Sequence, residues 1–331
     1  CCVAVANCGY GESSADNVFK GVAGIFRNGV ITSFFAQDKP ETIMALADDE
    51  KGEGIIYARP KRPADKIPYY GNNTPALYLD ELLLLQKQAL YTRMKNCGLQ
   101  KVAVNVSGGA DSTLALIVAA ETVKMMELPP EHVIGLSLPC FGTSQRTNTN
   151  ANSLMEALGV AKKEIDIQEA VALHLKQIGH SGEEDVTYEN AQARERTQIL
   201  LDVCNQEHAL ALGTGDLSEA ALGFCTFGGD TLCHYNVNAT IPKTLVKAAI
   251  LNYAEKQEND ALKKVLTDIV DTPISPELKK DQKTEDIVGP YILTDFILYY
   301  FAKHHFGPED IRNYMLATFD EYTDEEIDRS I

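Results

Sequence analysis

The sequence predicts an α/β protein: a parallel sheet with helices on both faces, preceded by a β-rich piece at the N-terminus. Three observations carry that expectation. From about residue 102 onward, short apolar runs alternate with longer stretches of helical periodicity, the pattern of successive βαβ units. Runs such as "VAVNV" (102–106) and "HALALG" (208–213) are continuously rather than alternately apolar, as strands covered on both faces must be. Residues 2–36 instead hold short β-branched runs broken by glycine-rich turns.

In chain order, "CVAVAN", "VAGIFRNG" with its Asn-Gly hairpin signal, and "VITSFFA" read as strands. Residues 38–76, rich in Pro, Asp, Lys and Gly, have linker composition, although "GIIYARP" could pair as an edge strand. A boundary between two units belongs there. Residues 78–98 form a helix stopped by Asn96 to Gly98; an apolar run (102–106) and a glycine turn lead into a helix from about Ser112 to Glu127. Next come a strand (132–138), a polar segment "FGTSQRTNTNAN" opening another helix, a strand (162–167), helices near 169–179 and 189–206, and the strand 208–213. From Pro242 the pattern is mostly helical. The chain opens mid-strand without Met and stops inside a helix ("YTDEEIDRSI"), so both ends read as those of a fragment.

At 331 residues there is material for one large unit with an appendage, or for two domains. A net charge of -17 argues against nonspecific nucleic-acid binding, and no apolar run approaches the roughly 20 residues that span a bilayer. Neither nucleic acid nor membrane is expected as a partner. The eight cysteines (Cys1, Cys2, Cys8, Cys97, Cys140, Cys204, Cys225, Cys233) include no CxxC pair and read mostly as buried thiols of a reducing cytosol, which makes a cytoplasmic location the expectation.

The most informative stretch is "VAVNVSGGADSTLALIVAA" (102–120). Gly108 and Gly109 permit positive φ and leave backbone N–H groups uncovered, and the helix that follows offers its positive end, so a polyphosphate fits the turn. Ser107 and Ser112 add hydroxyls. Asp111 would repel phosphates unless a divalent cation lay between, which points to Mg²⁺. The alternative is that Asp111 and Ser112 only cap the helix and the glycines only make the turn. Neither GxxxxGK[ST] nor GxGxxG is present.

"SGGADS" after an apolar strand resembles the PP-loop of the ATP pyrophosphatases. Three further segments, "TYENAQARERTQILL" (187–201), "GTGDLSEAALGFCTFGGD" (213–230) and "NATIPKTLVK" (238–247), together with "LPCFGTSQRT" (138–147), are similar in order and spacing to NAD synthetase over roughly residues 75–310. The resemblance implies an adenine nucleotide alpha hydrolase-like, Rossmann-like fold. It implies amidation of deamido-NAD to NAD at the expense of ATP, through an adenylated intermediate, with pyrophosphate and AMP released and Mg²⁺ required. It further implies ATP contacts at Ser107, Gly108, Gly109, Ala110, Asp111, Ser112, Thr214 and Lys243, and catalytic roles for Asp111 and Lys243. Magnesium ligation falls to Asp111 and Glu219, and deamido-NAD binding to Asn190, Arg194, Glu219, Phe224 and Asp230.

The residues themselves leave alternatives open. Glu219 beside Asp216 and Ser218 also reads as an acidic residue on a solvated helix start, Lys243 as a solvated lysine, and Phe224 and Phe227 as core. Asn190 and Arg194, four apart on a helix, share a face, whereas Glu195 and Arg196 read as surface charges. His180, His234, His304 and His305 lack metal-ligand spacing. The segment 283–290 resembles a mobile substrate-covering loop.

Residues 1–60 resemble the closing part of a nitrilase-like glutaminase domain, followed by a linker to about residue 76; residues 77–331 are then the synthetase domain, short at its C-terminus. The Cys-Glu-Lys set of such glutaminases lies upstream of the stretch seen here. Ammonia from L-glutamine is therefore expected of the full-length protein, with homo-oligomeric assembly through a dimer of synthetase domains. Two competing possibilities are another PP-loop adenylating enzyme, such as a tRNA-modifying one, and a noncatalytic nucleotide-binding module.

Overall fold

The computed structural model describes residues 2–6, 22–27, 30–36, 65–71, 73–273, 278 and 284–331. The N-terminal strands β1 (Cys2–Ala6), β2 (Val22–Arg27) and β3 (Val30–Ala36) form an antiparallel sheet in sequential order, as the alternation of short runs and turns requires. The Asn-Gly turn at 28–29, most of the linker and the "GIIYARP" segment lie outside the described residues.

The larger unit begins with α1 (Pro75–Cys97), which Gly98 ends in a left-handed turn (φ 68°). The order is then β4 (Lys101–Asn105), α2 (Ala110–Met125), β5 (Val133–Ser137), α3 (Gln145–Leu158), β6 (Ala161–Glu164), α4 (Gln168–Gln177), α5 (Val186–Glu207) and β7 (Ala209–Gly213). After these come α6 (Leu217–Leu222), β8 (Tyr235–Asn236), α7 (Lys243–Glu255), α8 (Asp260–Val270), α9 (Glu285–Val288), α10 (Tyr291–Leu298), α11 (Pro308–Leu316) and α12 (Asp324–Ser330).

The five strands β4 to β8 pair in parallel in the order β6-β5-β4-β7-β8. Strand residues divide by parity. Val102, Val104, Leu210 and Leu212 pack with α1, α2, α7 and α8 on one face, whereas Ala103, Ile134, Leu136 and Ala211 pack with α4 and α5 on the other. Helices thus cover both faces, as the sequence predicts. β6 departs from that pattern: its burial alternates because it is an edge strand. A third apolar cluster, with Leu293, Phe296, Met315 and Phe319, ties α10 to α12 together.

Several boundaries differ from the sequence expectation. α2 starts at Ala110 instead of Ser112, which places Asp111 in its first turn. The strand expected over 162–167 stops at Glu164, and Ile167 turns inward as a core residue preceding α4. The segment 283–290, expected as a loop, contains the short helix α9 in its described part. Of the cysteines from Cys97 onward, Cys140 and Cys204 are buried, Cys97 and Cys225 are exposed and Cys233 is intermediate, and all five are free. Cys97 is exposed because it ends α1, and Cys225 because it lies on a surface loop; the burial of Cys1, Cys2 and Cys8 lies outside what the structure describes.

β4 is flanked by β5 on one side and β7 on the other, so the chain runs outward in opposite directions from the β4/β7 pair. The loops leaving the carboxyl ends of these two strands lie side by side, at the point of an open α/β sheet where ligands bind. This topology brings the turn at 106–109 next to residues 214–216, more than a hundred positions later.

Candidate active site

At the carboxyl end of β4 the chain turns through Gly108 and Gly109 into α2. Gly108 has φ +86°, and a side chain there would overlap the Thr147 carbonyl in the first turn of α3, so conformation and space both demand glycine. The Gly109 N–H donates to Ser107 Oγ (3.2 Å), and Ser112 Oγ donates back to the Gly109 carbonyl (3.1 Å). Ser107 is exposed at the mouth of the turn, whereas Ser112 is buried beneath it. The first-turn N–H groups of the 16-residue α2, beginning with Ala110, present the positive end of the helix there.

Asp111, Asp216, Glu219 and Lys243 converge beside this turn. Lys243 opens α7 and is fully buried; its Nζ donates to Asp111 Oδ2 at 2.6 Å and Glu219 Oε1 at 2.8 Å, and lies 2.9 Å from Asp216 Oδ2. The alternative of a solvated lysine is thus ruled out. Glu219 is likewise no solvated helix start: its side chain is 20% exposed and is held in a capping box at the head of α6. In that box Asp216 Oδ1 accepts the Glu219 N–H (2.8 Å), while Glu219 Oε2 accepts the Asp216 N–H (3.3 Å). Glu219 is left with one oxygen for the cap and one for Lys243.

Charge dominates the cluster. Burial alone would lower the Lys243 pKa, but Asp111, Glu219 and Asp216 together hold it well above the ordinary lysine value. Burial and then repulsion by Asp111 raise both Asp216 and Glu219 against the attraction of Lys243. Three carboxylates face one ammonium, so the fully ionised cluster carries two uncompensated negative charges. Ligand oxygens of Asp111, Asp216 and Glu219 lie within 4.8 Å of one another, and Asp111 Oδ1 is buried with no hydrogen-bond partner among the described residues. An all-oxygen set with that charge deficit fits a hard divalent cation such as Mg²⁺.

A buried amide network fastens the two loops. Asn238, fully buried, donates through Nδ2 to the main-chain carbonyls of Asp111 and Thr214, both at 3.0 Å. Its Oδ1 accepts from Gln86 Nε2 of α1 (3.0 Å). Thr214, at the end of β7, is thereby locked to the start of α2.

The residues expected for dinucleotide binding gather around the loop after α6. Asn190 Oδ1 accepts from Thr226 Oγ1 (2.8 Å), Asp230 Oδ1 accepts the Thr226 N–H (2.6 Å), and Arg194 Nε donates to the Phe227 carbonyl (3.2 Å). Asn190 and Arg194 therefore do share a face, turned toward this loop. Phe227 is 86% exposed and Phe224 only half-buried, so neither is core; both sit on a loop whose anchoring is polar. Arg196 is not a simple surface charge, since its half-buried guanidinium donates through Nε to the Leu138 carbonyl at the end of β5 (3.4 Å); Glu195 beside it is half-buried as well. Among the histidines, His180 pairs with Asp185, and His234 Nδ1 accepts the Ala211 N–H.

Sequence reasoning missed Asp216, Ser218, Asn238, Tyr291 and Asp295. For Asp216 the signal was present, because Asp216-x-x-Glu219 has capping-box spacing. For Asp295 it was a carboxylate inside the apolar run "YILTDFILYY", where a charge needs a buried partner. Asn238 and Ser218 carried no such mark.

Fold and site together define the class: a Rossmann-like α/β domain with a glycine turn opening a helix at the carboxyl edge of a parallel sheet, beside a buried acidic cluster. The chain belongs to the NAD synthase family, whose model matches residues 84–329. It is 42% identical over 265 residues to a glutamine-dependent NAD(+) synthetase of Mycobacterium leprae, which covers 76% of this chain and 39% of that protein. The corresponding protein of Mycobacterium tuberculosis is 40% identical over 264 residues, with the same coverage. The chain thus spans about 39% of the length of these curated relatives. Among solved structures, a glutamine-dependent NAD+ synthetase from Acinetobacter baumannii in complex with ADP aligns with TM-score 0.58 at 21% identity, covering 94% of this chain and 52% of that one. One from Cytophaga hutchinsonii gives TM-score 0.60 at 19% identity, covering 78% and 47%. These two support the fold.

Proposed function

We propose that the chain carries the synthetase centre of a glutamine-dependent NAD synthetase, converting deamido-NAD to NAD with ATP through an adenylated intermediate. The observation that supports this most is the convergence of Asp111, Glu219 and Lys243 at 2.6 and 2.8 Å, three residues singled out from separate segments. A noncatalytic module would have no need to maintain so costly a buried charge cluster. Family membership disfavours a tRNA-modifying adenylating enzyme.

In this proposal ATP lies along Ser107 to Ser112 and against Thr214, with its phosphates toward the head of α2. Deamido-NAD is held by Asn190, Arg194, Glu219, Phe224 and Asp230. Its nicotinate carboxylate attacks the α-phosphorus, the bond to the bridging oxygen breaks, and pyrophosphate leaves. Lys243 and the first-turn N–H groups of α2 face the charge that develops on the leaving group. Asp111 and Glu219, with Asp216 adjacent, would hold Mg²⁺, which supplies neutralisation of phosphate charge when bound. Ammonia then attacks the acyl carbon and AMP departs. No protein nucleophile is required, since aligning the two substrates and excluding water from the mixed anhydride account for the catalysis. Ammonia comes from L-glutamine in the full-length protein, for which residues 1–60 are the end of the glutaminase domain.

The test is direct. The purified chain with ATP, Mg²⁺, deamido-NAD and ammonium should form NAD, and Asp111→Ala and Glu219→Ala should abolish the magnesium-dependent turnover. NAD formation that persists in both variants would sink the assignment.

A further inference from the structure

Helix α10 sends two residues to the carboxylate–lysine cluster. Tyr291 and Asp295 are four positions apart and so share a helical face. Asp295 is 1% exposed. Its Oδ1 accepts from Ser218 Oγ (2.5 Å) and its Oδ2 accepts the Thr244 N–H (2.8 Å). Ser218 Oγ in turn accepts the Lys243 N–H (2.9 Å). One carboxylate therefore joins the first turn of α6, which bears Glu219, to the first turn of α7, which bears Lys243. The Thr244 N–H that it accepts belongs to the first turn of α7, where no helical carbonyl can satisfy it. The Tyr291 ring lies 5.5 Å from Lys243 Nζ, and its phenol oxygen is buried with no hydrogen-bond partner among the described residues.

Resting on the function proposed above, we propose that Asp295 is a positioning residue. Through Ser218 and the Thr244 N–H it fixes the heads of α6 and α7, so that the Glu219 carboxylate and the Lys243 ammonium both face Asp111, with the Tyr291 ring against the ammonium. The geometry explains why a carboxylate is needed here. Two donors arrive on two different oxygens, and an amide has only one oxygen, so Asp295→Asn must turn an NH₂ toward one of them. Main-chain pairing between the two loops survives that change, because the Leu217 N–H still donates to the Ile241 carbonyl (3.0 Å). The helices stay in place while the alignment of Lys243 and Glu219 loosens. Misplacement on the scale of 1 Å is enough to cost about a hundredfold in rate.

The experiment compares wild type, Asp295→Asn, Ser218→Ala and the double variant by three measurements: steady-state pyrophosphate release, calorimetric binding of Mg·ATP, and thermal unfolding. Asp295→Asn should lower kcat about 10–100-fold and weaken Mg·ATP binding, the usual scale for residues that orient a metal site. KM for deamido-NAD should rise by a smaller factor than kcat falls, because Glu219 is the one proposed dinucleotide contact that loosens while the Asn190–Arg194 face is not touched. Ser218→Ala should act in the same direction, and the double variant should be no worse than Asp295→Asn alone, since both remove one linkage. Wild-type kcat and Mg·ATP affinity in Asp295→Asn would overturn the proposal, as would losses that multiply in the double variant or that track only the unfolded fraction. If Asp295→Asn fails to fold, Ser218→Ala carries the same two readouts and decides the matter. A wild type that binds Mg·ATP but forms no NAD refutes the functional proposal, and the calorimetric comparison still decides this one. A wild type that binds no Mg·ATP overturns both.

Discussion

Replacing Lys243 with methionine keeps an unbranched side chain of similar length in a fully buried position and removes the ammonium that, among the described residues, pairs with Asp111, Asp216 and Glu219. Breaking a buried ion pair from one side costs about 3–5 kcal/mol, because the remaining charge is left in a poor solvent. Here three carboxylates lose their common partner at 2.6 to 2.9 Å, so the upper half of that range is expected in the absence of divalent ions. Mg²⁺ should then stabilise the variant more than the wild type: an ion present at a hundred times its Kd contributes about 2.7 kcal/mol to the protein that binds it, and each tenfold gain in affinity adds about 1.4 kcal/mol at the same concentration. Urea unfolding in EDTA and in saturating Mg²⁺ measures both effects. A Lys243→Met protein as stable as wild type in EDTA would refute the account of the cluster, as would an equal magnesium response in the two proteins.

Further outcomes follow from the same geometry. Gly108→Ala should cost about 1–2 kcal/mol from its positive φ alone, and more from overlap with the Thr147 carbonyl, so the thermal shift produced by Mg·ATP should vanish. An undiminished shift would show that the turn does not hold the nucleotide. Asn238→Ala leaves the Gln86 amide and the Asp111 and Thr214 carbonyls short of a partner, at about 1–3 kcal/mol for each buried group left unsatisfied. An unchanged urea midpoint would contradict the bracing role of that amide. At the opposite edge of the sheet, hydrogen bonds from Lys101 and Lys163 hold the Glu207 pKa down at about 2. A depressed carboxylate contributes stability that is present above its unfolded pKa of about 4.3 and is lost as pH falls through the folded value. Glu207→Gln should therefore lower the melting temperature slightly at pH 7, with the difference closing as pH falls from about 4.3 toward 2 and as salt is raised. A difference that grows on acidification would reverse the assigned sign.

Most of the fold was legible because its causes are local. Continuous apolar runs, helix stops such as Gly98 and the strand–helix alternation identify the parallel sheet without tertiary information. The edge strand β6 was less so: "KKEIDI" has strand composition, but the chain leaves the sheet at Ile165 to begin the approach to α4. At the site, Asp111, Glu219 and Lys243 could be named from their segments, yet their environment could not. A lysine after proline looks solvated, and only the crossover from β4 to β7 places it among three carboxylates. Asp216 was marked by its spacing as a helix cap, but its second role facing Lys243 shows only in three dimensions. Asn238 holds groups 24 and 127 residues away and Asp295 groups 51 and 77 residues away, and nothing within a local window reveals such partners. The exposed Phe227 shows the converse limit, since an aromatic residue in a glycine-rich loop carries no sign of which way it faces.

The central claim is that the carboxylate of deamido-NAD attacks the α-phosphorus of ATP beside Asp111 and Lys243. Deamido-NAD labelled with ¹⁸O in its nicotinate carboxylate, incubated with ATP, Mg²⁺, ammonium and the protein, tests it through the mass of the recovered nucleotides. The account predicts AMP bearing one ¹⁸O, formed in step with NAD and unlabelled pyrophosphate. Unlabelled AMP, or ADP and inorganic phosphate in its place, would contradict it.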